Sequence, residues 1–406
     1  MQTSIGLVSP AARRRPLDRW LGALLGRRLG QARLRISLRD GPLLYEPAQT
    51  PVAEVVLHGR GVVLSLLLDP EVRFGDAYAA GRIEIEGDLL AGLVAAYEAL
   101  GVRKGRRRVR PLGHSLRAAR DNVHRHYDLG NDFYRLWLDE RMVYTCAYFS
   151  RADASLEEAQ LAKLDHVCRK LWLHPGDTVV EAGCGWGALA LHMARAYGAR
   201  VKAYNVSAEQ VRYARRRAEK EGLSGRVEFV LDDYRNIAGR FDAFVSVGML
   251  EHVGPRQYRT LGRVIDRCLD PLRGRGLLHF IGQDQHAAMN GWIQKRILPG
   301  AYPPTLAEAS SGVLQAADVD ILDVENLRRH YALTLAHWRA RYEDAFEEVK
   351  RRYGSTFARA WRLYLAGSEA SFLTSSLQLF QVVFARATAE VPWTRAALVP
   401  PGDGKL

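Results

Sequence analysis

A glycine-rich loop between a strand and a helix is the segment best suited to bind a cofactor. It reads EAGCGWG at residues 181–187 and directly follows an apolar run. Glycine permits a sharp turn and a close backbone approach to a ligand, because it has no Cβ. The spacing is GxGxG and no basic residue follows, unlike the GxGxxG loop that binds dinucleotides. Glu181 can attract a cationic amino group. The loop therefore favours S-adenosylmethionine, with an ammonium and a sulfonium, although a turn that only packs helix on strand would use the same glycines. The candidate cofactor residues here are Glu181, Gly183, Gly185 and Gly187.

Polar residues follow the next two predicted strands, where the rest of this cofactor would lie. They are Asn205, Ser207 and Gln210 after one strand and Asp233 and Tyr234 after the next. The first group would face the ribose hydroxyls, and the second would face the adenine amino group and ring. An isolated Ser or Asp in such a place is also a common helix cap. Their order along the chain supports the cofactor interpretation.

The elements that position these residues alternate between strand and helix. Strands are predicted at 178–182, 200–206, 227–231, 241–247 and 276–281, and helices at 188–197, 208–221 and 258–269. This order predicts a Rossmann-like α/β domain with a mostly parallel, doubly wound sheet. Ligands bind such sheets beyond the carboxyl ends of the strands. We place this catalytic domain at residues 121–395 and a C-terminal tail at 396–406.

A small α+β domain is predicted at residues 31–102. Residues 34–68 hold apolar runs separated by Gly and Pro, and this pattern indicates short strands, including the run GVVLSLLL at 61–68. The segments FGDAY at 74–78 and IEIEG at 83–87 follow, and an apolar helix is predicted at 88–100.

Basic residues are concentrated next to this domain. The 406-residue chain is 48% apolar, 25% charged and carries a net charge of +13. Six cations fall within RKGRRRVR at 103–110, at the start of a predicted linker over 103–120, and residues 1–30 are predicted to be flexible or loosely helical. Each cation near an anionic lipid surface contributes about 1 kcal/mol, so the run could hold the chain on a membrane. A solvated linker fits the same composition, as does nucleic-acid binding.

The apolar runs and the cysteines suggest a cytoplasmic protein. No run approaches the roughly 20 apolar residues that a membrane-spanning helix needs. The cysteines are far apart and lack metal-ligand spacing, so we expect reduced thiols and no metal site. They are Cys146, Cys168, Cys184 and Cys268.

A series of further segments identifies a family. In chain order they are HYDLGNDFY at 126–134, MVYTCAYF at 142–149, the glycine loop, SVGMLEHVG at 246–254, LHFIG at 278–282, DVENL at 323–327, HY at 330–331 and QLFQVVF at 378–384. With this series the chain resembles the cyclopropane-fatty-acyl-phospholipid synthase family, which includes mycolic acid methyltransferases. The segment GDAYAAGRIEIEGDL at 75–89 also resembles the small domain that precedes the catalytic domain in bacterial members.

The resemblance implies a reaction and five catalytic positions. An alkene in a phospholipid acyl chain attacks the sulfonium methyl, and the resulting carbocation loses a proton and closes to a cyclopropane. Such a site must exclude water, and the family uses a bound bicarbonate ion as the base. The backbone amides of Cys146 and Ile281 would hold this anion together with the side chains of His279 and Tyr331. Glu251 would orient it.

Further roles are implied by the same resemblance. Tyr144 and Thr145 would contact the cofactor. The partner would be a phospholipid membrane with an anionic surface, approached from its inner face, with no nucleic acid and a possible homodimer. Aromatic faces could stabilise the cation by about 1–2 kcal/mol each; candidates are Tyr148, Phe149, Trp292 and Tyr364. Phe280 and Tyr302 depart from the residues usual in the family and are expected to line the acyl channel.

Three alternatives remain open. The cation could be resolved differently, giving a methyl-branched or methylene fatty acid. The acceptor could be a nucleic acid or a small molecule, although the chain lacks an Asn-Pro-Pro-Tyr-like segment and a Pro-Cys nucleophile. A catalytically silent lipid-binding protein would lose the loop glycines or Glu251, and both are present.

Overall fold

A computed structural model of the chain describes residues 15–101 and 129–398. It divides into two compact units, one of residues 1–105 with 346–374 and the other of residues 106–345 with 375–406. The predicted basic linker and the start of HYDLGNDFY lie outside the described residues. No helix in the described part of the chain has the length and hydropathy needed to cross a bilayer.

The first unit contains a four-stranded sheet and helices. Its strands are β1 (Leu34–Leu38), β2 (Leu43–Tyr45), β3 (Ala53–Leu57) and β4 (Ile83–Gly87), in the order β2-β1-β3-β4. Its N-terminal helices are α1 (Pro16–Leu29), α2 (Arg60–Leu68), α3 (Pro70–Ala79) and α4 (Leu89–Leu100). Asp88 caps α4 by accepting hydrogen bonds from two backbone amides of its first turn.

One N-terminal segment differs from the sequence prediction, and another agrees with its helical option. The run GVVLSLLL, predicted as a strand, forms most of helix α2. Gly59 before it has a φ of 99°, and a continuous apolar run does not by itself distinguish strand from helix. Residues 16–29 form a regular helix, whose Asp18 is buried and pairs with Arg60 at 2.6 Å.

The first unit also includes a segment from far along the chain. This segment contains the helices α13 (Phe346–Tyr353) and α14 (Ser355–Leu373). The described helices α5 to α12 precede them in the chain and belong to the second unit. Arg359 donates to the carbonyls of Tyr78 and Ile83 at 2.7 and 2.9 Å, and its guanidinium lies 4.4 Å from the Tyr78 ring centroid. The sequence analysis placed residues 346–374 in a continuous domain at 121–395, whereas the structure places them in the first unit. Nothing in the local sequence indicates a packing partner so far away in the chain.

The second unit contains a seven-stranded sheet with helices. Its strands are β5 (Thr178–Ala182), β6 (Arg200–Asn205), β7 (Val227–Leu231), β8 (Ala243–Val247), β9 (Arg275–Gly282), β10 (Asp320–Asn326) and β11 (Gln378–Ala385). Its helices are α5 (Asn131–Arg135), α6 (Leu156–Lys170), α7 (Ala188–Ala196), α8 (Ala208–Lys220), α9 (Leu250–Val253), α10 (Tyr258–Cys268), α11 (Leu306–Ala309) and α12 (Arg328–Asp344).

The sheet order is β10-β11-β9-β8-β5-β6-β7, and only the pairings of β11 are antiparallel. Val179 packs in a core cluster with Leu189 of α7, and its neighbour Val180 packs in a second cluster with Ile265 of α10. Successive strand residues face opposite sides, so both faces of the sheet are covered by helices. The predicted doubly wound, mostly parallel α/β fold is confirmed.

Candidate active site

A cavity lies at the carboxyl ends of strands β5, β6, β7 and β8, where the fold predicts a ligand. Nine predicted cofactor residues line it: Tyr144, Thr145, Glu181, Gly183, Gly185, Asn205, Gln210, Asp233 and Tyr234. Gly187 and Ser207 are not among its lining residues. Since the nine come from four separate parts of the chain, the fold gathers most of the predicted set at one place.

The glycines of the loop are needed for different structural reasons. Gly183 and Gly185 have φ values of 85° and 52° and line the cavity, so their positive φ shapes the turn. Gly187 has a φ of 84°, and a Cβ there would lie 2.6 Å from the Phe229 ring and 2.9 Å from the Ala214 Cβ. Gly187 therefore serves the packing of α7 against the sheet.

This difference predicts that two alanine substitutions affect stability and ligand binding differently. Gly187→Ala adds strain and overpacking, each of about 1–3 kcal/mol, so we expect a thermal midpoint several degrees below wild type. Gly185→Ala meets no atom within 4 Å and should lower stability less, while weakening S-adenosylhomocysteine binding by crowding the cavity. Thermal unfolding and calorimetric titration of both variants measure this; equal stability losses would contradict it.

The polar residues after β6 form a network among themselves. Asn205 donates to the Gly185 carbonyl at 3.1 Å and to Gln210 Oε1 at 2.8 Å. Ser207 Oγ accepts from the Gln210 amide at 3.3 Å and so caps helix α8. Ser207 is fully buried, which agrees with a capping role. Asn205 and Gln210 remain cofactor candidates because they line the cavity.

The residues after β7 are tied together by an arginine. Both carboxylate oxygens of Asp233 accept from the Arg235 guanidinium at 2.7 and 2.8 Å. That guanidinium lies 5.3 Å from the Tyr234 ring centroid. The pairing fixes Asp233 and Tyr234 at the cavity wall, in the position predicted for adenine contacts.

Lys163 is a cavity residue that sequence reasoning missed. It lies on α6, is 2% exposed, and its Nζ donates to Thr145 Oγ1 at 3.1 Å. Burial lowers the pKa of Lys163, and the nearby Asp139 and Glu181 carboxylates oppose this. A lone lysine in an amphipathic helix pattern gives no sequence signal, because such residues usually face solvent.

Glu181 provides a test of the cofactor assignment. It is 2% exposed, and its Oε2 has no hydrogen-bond partner within the described residues. Burial raises the pKa of Glu181, and the Lys163 charge lowers it. A buried carboxylate oxygen without a partner favours a cationic ligand group, so this residue fits the methionine ammonium of S-adenosylmethionine.

Aromatic residues hold the cavity wall at Tyr144. Its ring lies 5.2–5.4 Å from the centroids of Tyr134, Trp137 and Trp338. The loop residue Trp186 donates its indole N–H to Asn131 Oδ1 at 2.6 Å, and its ring is 5.0 Å from Tyr134. Asn131 and Tyr134, in the described part of HYDLGNDFY, thus anchor the glycine loop, a role that spacing alone did not reveal.

Glu251 and Ile281, two of the five catalytic candidates, are in direct contact. The Ile281 amide donates to Glu251 Oε1 at 2.5 Å, so this amide is engaged by the carboxyl group and not open to an anion as we expected. Glu251 Oε2 is buried without a partner in the described structure. Burial raises the pKa of Glu251 to about 7, against the lowering effect of the Ile281 hydrogen bond.

His279 lies two residues before Ile281 on β9. Gln381 of β11 donates to His279 Nδ1 at 3.1 Å, which makes Nε2 the protonated nitrogen of a neutral ring. Burial lowers the pKa of His279 well below its usual value, and its Nε2 has no partner in the described part of the chain. The Gly248 amide donates to the His279 carbonyl at 2.8 Å, and Gly248 lines the cofactor cavity. The His279 backbone therefore contacts a residue of the cavity wall, although none of the five catalytic candidates is itself among the lining residues.

Cys146 and Tyr331 both contact the Leu327 carbonyl oxygen. The Cys146 thiol points to the Leu327 oxygen at 3.9 Å, and the Tyr331 amide donates to the same oxygen at 3.1 Å. The Leu327 amide in turn donates to Leu379, which pairs with Ile281 across the sheet. Continuous contacts thus join all but His279 of the five predicted positions, and His279 shares strand β9 with Ile281.

The thiols are not candidate nucleophiles. All four cysteines are buried and free. Burial raises the pKa of the Cys146 thiol, so it is protonated at neutral pH.

The two family departures lie in the core. Phe280 is fully buried and packs on Phe380, on the face of β9 opposite to His279. The Tyr302 hydroxyl donates to Glu308 at 2.8 Å. The Tyr302 amide donates to the carbonyl of the catalytic candidate Glu251 at 2.8 Å. That these two residues line an acyl channel stays a prediction.

Known proteins match this chain over most of its length. The family described as mycolic acid cyclopropane synthetase matches residues 114–382. A probable fatty acid methyltransferase of Pseudomonas putida is 34% identical over 379 residues, covering 89% of this chain and 95% of that protein. The cyclopropane-fatty-acyl-phospholipid synthase of Escherichia coli K12 is 41% identical over 264 residues, covering 64% of this chain and 66% of that protein.

A solved structure agrees in fold and in cofactor class. Mycolic acid cyclopropane synthase CmaA1, complexed with SAH and CTAB, matches with a TM-score of 0.62 and 28% identity, covering 66% of this chain and 98% of that chain. With the glycine loop and cavity described above, these matches show that the chain belongs to the mycolic acid cyclopropane synthetase family of S-adenosylmethionine-dependent methyltransferases.

Proposed function

We propose that the protein converts the cis double bond of an unsaturated phospholipid acyl chain into a cyclopropane, with S-adenosylmethionine as the one-carbon donor. One observation carries this proposal. Glu251 and His279 each bury a polar atom without a partner in the described structure, and each is next to a residue that lines the cofactor cavity, since Glu251 precedes His252 in the chain and the His279 carbonyl accepts from the Gly248 amide. Ring closure after methyl transfer to an alkene needs a base, and these two groups can hold one.

The cavity residues would bind and orient the donor. S-adenosylmethionine supplies an electrophilic methyl group on a sulfonium. Glu181 would accept from its ammonium, Asn205 and Gln210 would face its ribose, and Tyr234 would pack on its adenine. Lys163 keeps charge balance with Glu181, which favours the ionised carboxylate that a cationic ligand needs.

The neighbouring polar groups would hold the base. Bicarbonate, once bound, would supply an acceptor for the proton that leaves the new carbon. The neutral His279 ring would donate from Nε2, and Glu251 Oε2 would bond to the same anion while Oε1 stays on the Ile281 amide. Buried, fully bonded partners keep the anion in one orientation. Cys146 is fully buried and lends no charge, which suits a site that must exclude water.

Lipid analysis tests this function directly. Expression in a bacterial host that lacks cyclopropane lipids should give fatty acids that gain one CH₂ and lose their double bond. Fatty acid methyl esters, analysed by mass spectrometry and by hydrogenation, separate a ring from a methylene branch. The Glu251→Gln variant is the matched control. A methyl-branched or methylene product, or none, would contradict ring formation.

We also propose that the first unit docks on the inner, anionic surface of the membrane. Leu64 and Leu68 of α2 are 43% and 84% exposed, and the cation-rich run at 103–110 follows this unit in sequence. Leucine burial contributes about 1.5–3 kcal/mol, so exposed leucines can anchor a protein that cations attract.

Vesicle binding checks this docking. Leu64→Ser with Leu68→Ser should weaken co-sedimentation with phosphatidylglycerol vesicles by about tenfold or more. Leu272→Ser is the control, because Leu272 is 64% exposed but belongs to the second unit. Equal binding of the double variant and the control would exclude α2 as the anchor.

A further inference from the structure

Three consecutive backbone amides hold the segment that follows Cys146. Residues 147–149 donate in turn to Thr334 Oγ1, the Ala159 carbonyl and His330 Nδ1, each at 3.0 Å. Two of these acceptors lie on α12 and one lies on α6. The position of Cys146 therefore depends on how this segment sits between the two helices.

Aromatic stacking adds to these hydrogen bonds. The Tyr148 ring lies between His166 of α6 and His330 of α12, with centroid distances of 4.2 and 4.9 Å and interplanar angles of 24° and 10°. His166 is itself fixed by Glu325, 2.7 Å from its Nε2. Phe149 stacks on His337, about two helical turns after His330 on α12, with a centroid distance of 5.5 Å. Tyr148 and Phe149 thus have histidine neighbours, and their rings serve to lock the segment.

His330 links this segment to Tyr331, another of the residues proposed to surround the bound anion. It directly precedes Tyr331, and its carbonyl accepts from Thr334 Oγ1 at 2.7 Å. The Tyr331 amide and the Cys146 thiol share the Leu327 carbonyl. A shift of His330 would therefore move Cys146 and Tyr331 relative to each other.

The contacts define the protonation state of this histidine. Because Nδ1 accepts from the Phe149 amide, it carries no proton, and the ring is neutral with its proton on Nε2. Burial lowers the pKa of His330, in agreement with a neutral ring. A ring or side chain without an acceptor at this point would leave a buried amide without a partner.

We propose that His330 is a positioning residue for the anion site, acting through its hydrogen bond to the Phe149 amide to keep Cys146 and Tyr331 in register. The role rests on the proposed function, since register matters only if these residues surround a bound anion. A displacement of about 1 Å at such a site can lower turnover about 100-fold.

Three variants separate the hydrogen bond from the ring. His330→Phe keeps an aromatic ring and removes the acceptor, and His330→Asn keeps an acceptor near the Nδ1 position and removes the ring. His337→Phe is the matched control, because His337 lies on the same helix and stacks on the same segment, and the structure gives it no backbone amide to accept. Hydrogen–deuterium exchange of the peptide spanning 146–149 is measured on the full-length protein, together with the bicarbonate dependence of turnover and S-adenosylhomocysteine affinity.

His330→Phe should exchange the peptide about tenfold faster and raise the half-saturating bicarbonate concentration about 10- to 100-fold, with S-adenosylhomocysteine affinity within about twofold of wild type. His330→Asn should recover most of both losses, and His337→Phe should match wild type.

Equal behaviour of His330→Phe and His337→Phe would overturn the proposal. If His330→Phe does not fold, His330→Ala is compared with His330→Asn, and equal values in those two would overturn it. A wild-type enzyme whose turnover ignores bicarbonate would refute the proposed function and this role together, whereas a wild-type response shared unchanged by every variant would refute this role alone.

Discussion

Replacing Glu251 with Gln is expected to lower kcat by about 100-fold or more while S-adenosylhomocysteine affinity stays within about twofold of wild type. Gln can still accept the Ile281 amide through its carbonyl oxygen, so the local backbone should persist. The amide nitrogen that replaces Oε2 cannot ionise, and it cannot accept a proton from a bound anion. The reaction would lose its oriented base while the cofactor cavity stays intact. Turnover of vesicle lipids and calorimetric titration measure the two quantities.

The pH dependence of stability provides an independent check on Glu251. Its folded-state pKa, about 7, lies above the usual carboxyl value, so the folded protein binds this proton more tightly than the unfolded chain does. Its contribution to stability is therefore present at low pH and falls as pH rises from about 4.5 to 7. Glu251→Gln lacks this loss, so its thermal midpoint should gain on wild type between pH 5 and pH 8. A constant difference would show that Glu251 titrates normally.

The parallel part of the fold was predictable because each element carries a local signal. Apolar runs bounded by turns gave β5 to β9 to within two residues at each end. The edge strand β10 escaped prediction because it is largely exposed and alternates acidic with apolar residues. Helix α2 was mistaken for a strand because its apolar run has no clear period.

Cofactor residues were predictable to the extent that they follow strands. Nine of the eleven line the cavity, since the carboxyl ends of parallel strands must meet at one edge. Ser207 and Gly187 fit the sequence pattern for a different reason, because a helix needs a cap and a close packing point in the same places. Sequence alone does not separate these uses of one residue type.

The roles of the supporting residues were not predictable, although Gln381 and His330 stand in segments that identify the family. Lys163, Gln381 and His330 act on residues that are between 18 and 181 positions away in the chain, through contacts that only folding creates. A buried lysine breaks the local pattern of its helix, and nothing in the neighbouring sequence indicates its partner. Such residues emerge only when the side chains of different elements are placed together.

Lys163→Met is expected to weaken S-adenosylhomocysteine binding by about tenfold or more at neutral pH. Lys163 is the cation that lowers the pKa of the buried Glu181. Burial already raises the pKa of Glu181 to about 8. Without Lys163 this pKa rises further, so a smaller fraction of the carboxyl group is ionised and attracts the ligand ammonium. The loss of the hydrogen bond to Thr145 adds a smaller effect, of about 1 kcal/mol. Titration at constant pH measures the affinity.

A second buried lysine on the same helix serves as the control. Lys170 is 1% exposed and pairs with Glu325 at 2.6 Å, and it does not line the cavity. Lys170→Met should therefore lower stability and leave ligand affinity near wild type, because the substitution removes a charge partner of the partly buried Glu325, which is not a cavity residue.

A double-mutant cycle decides whether Lys163 acts through Glu181. If it does, Lys163→Met should weaken binding far less in a Glu181→Gln background than in wild type, because the charge it supports is already absent. Additive losses would instead mean that Lys163 contacts the ligand itself or shapes the wall through Thr145. The cycle distinguishes a charge partner from a wall residue, since both lie within reach of the same cavity and only the first depends on the ionisation of Glu181.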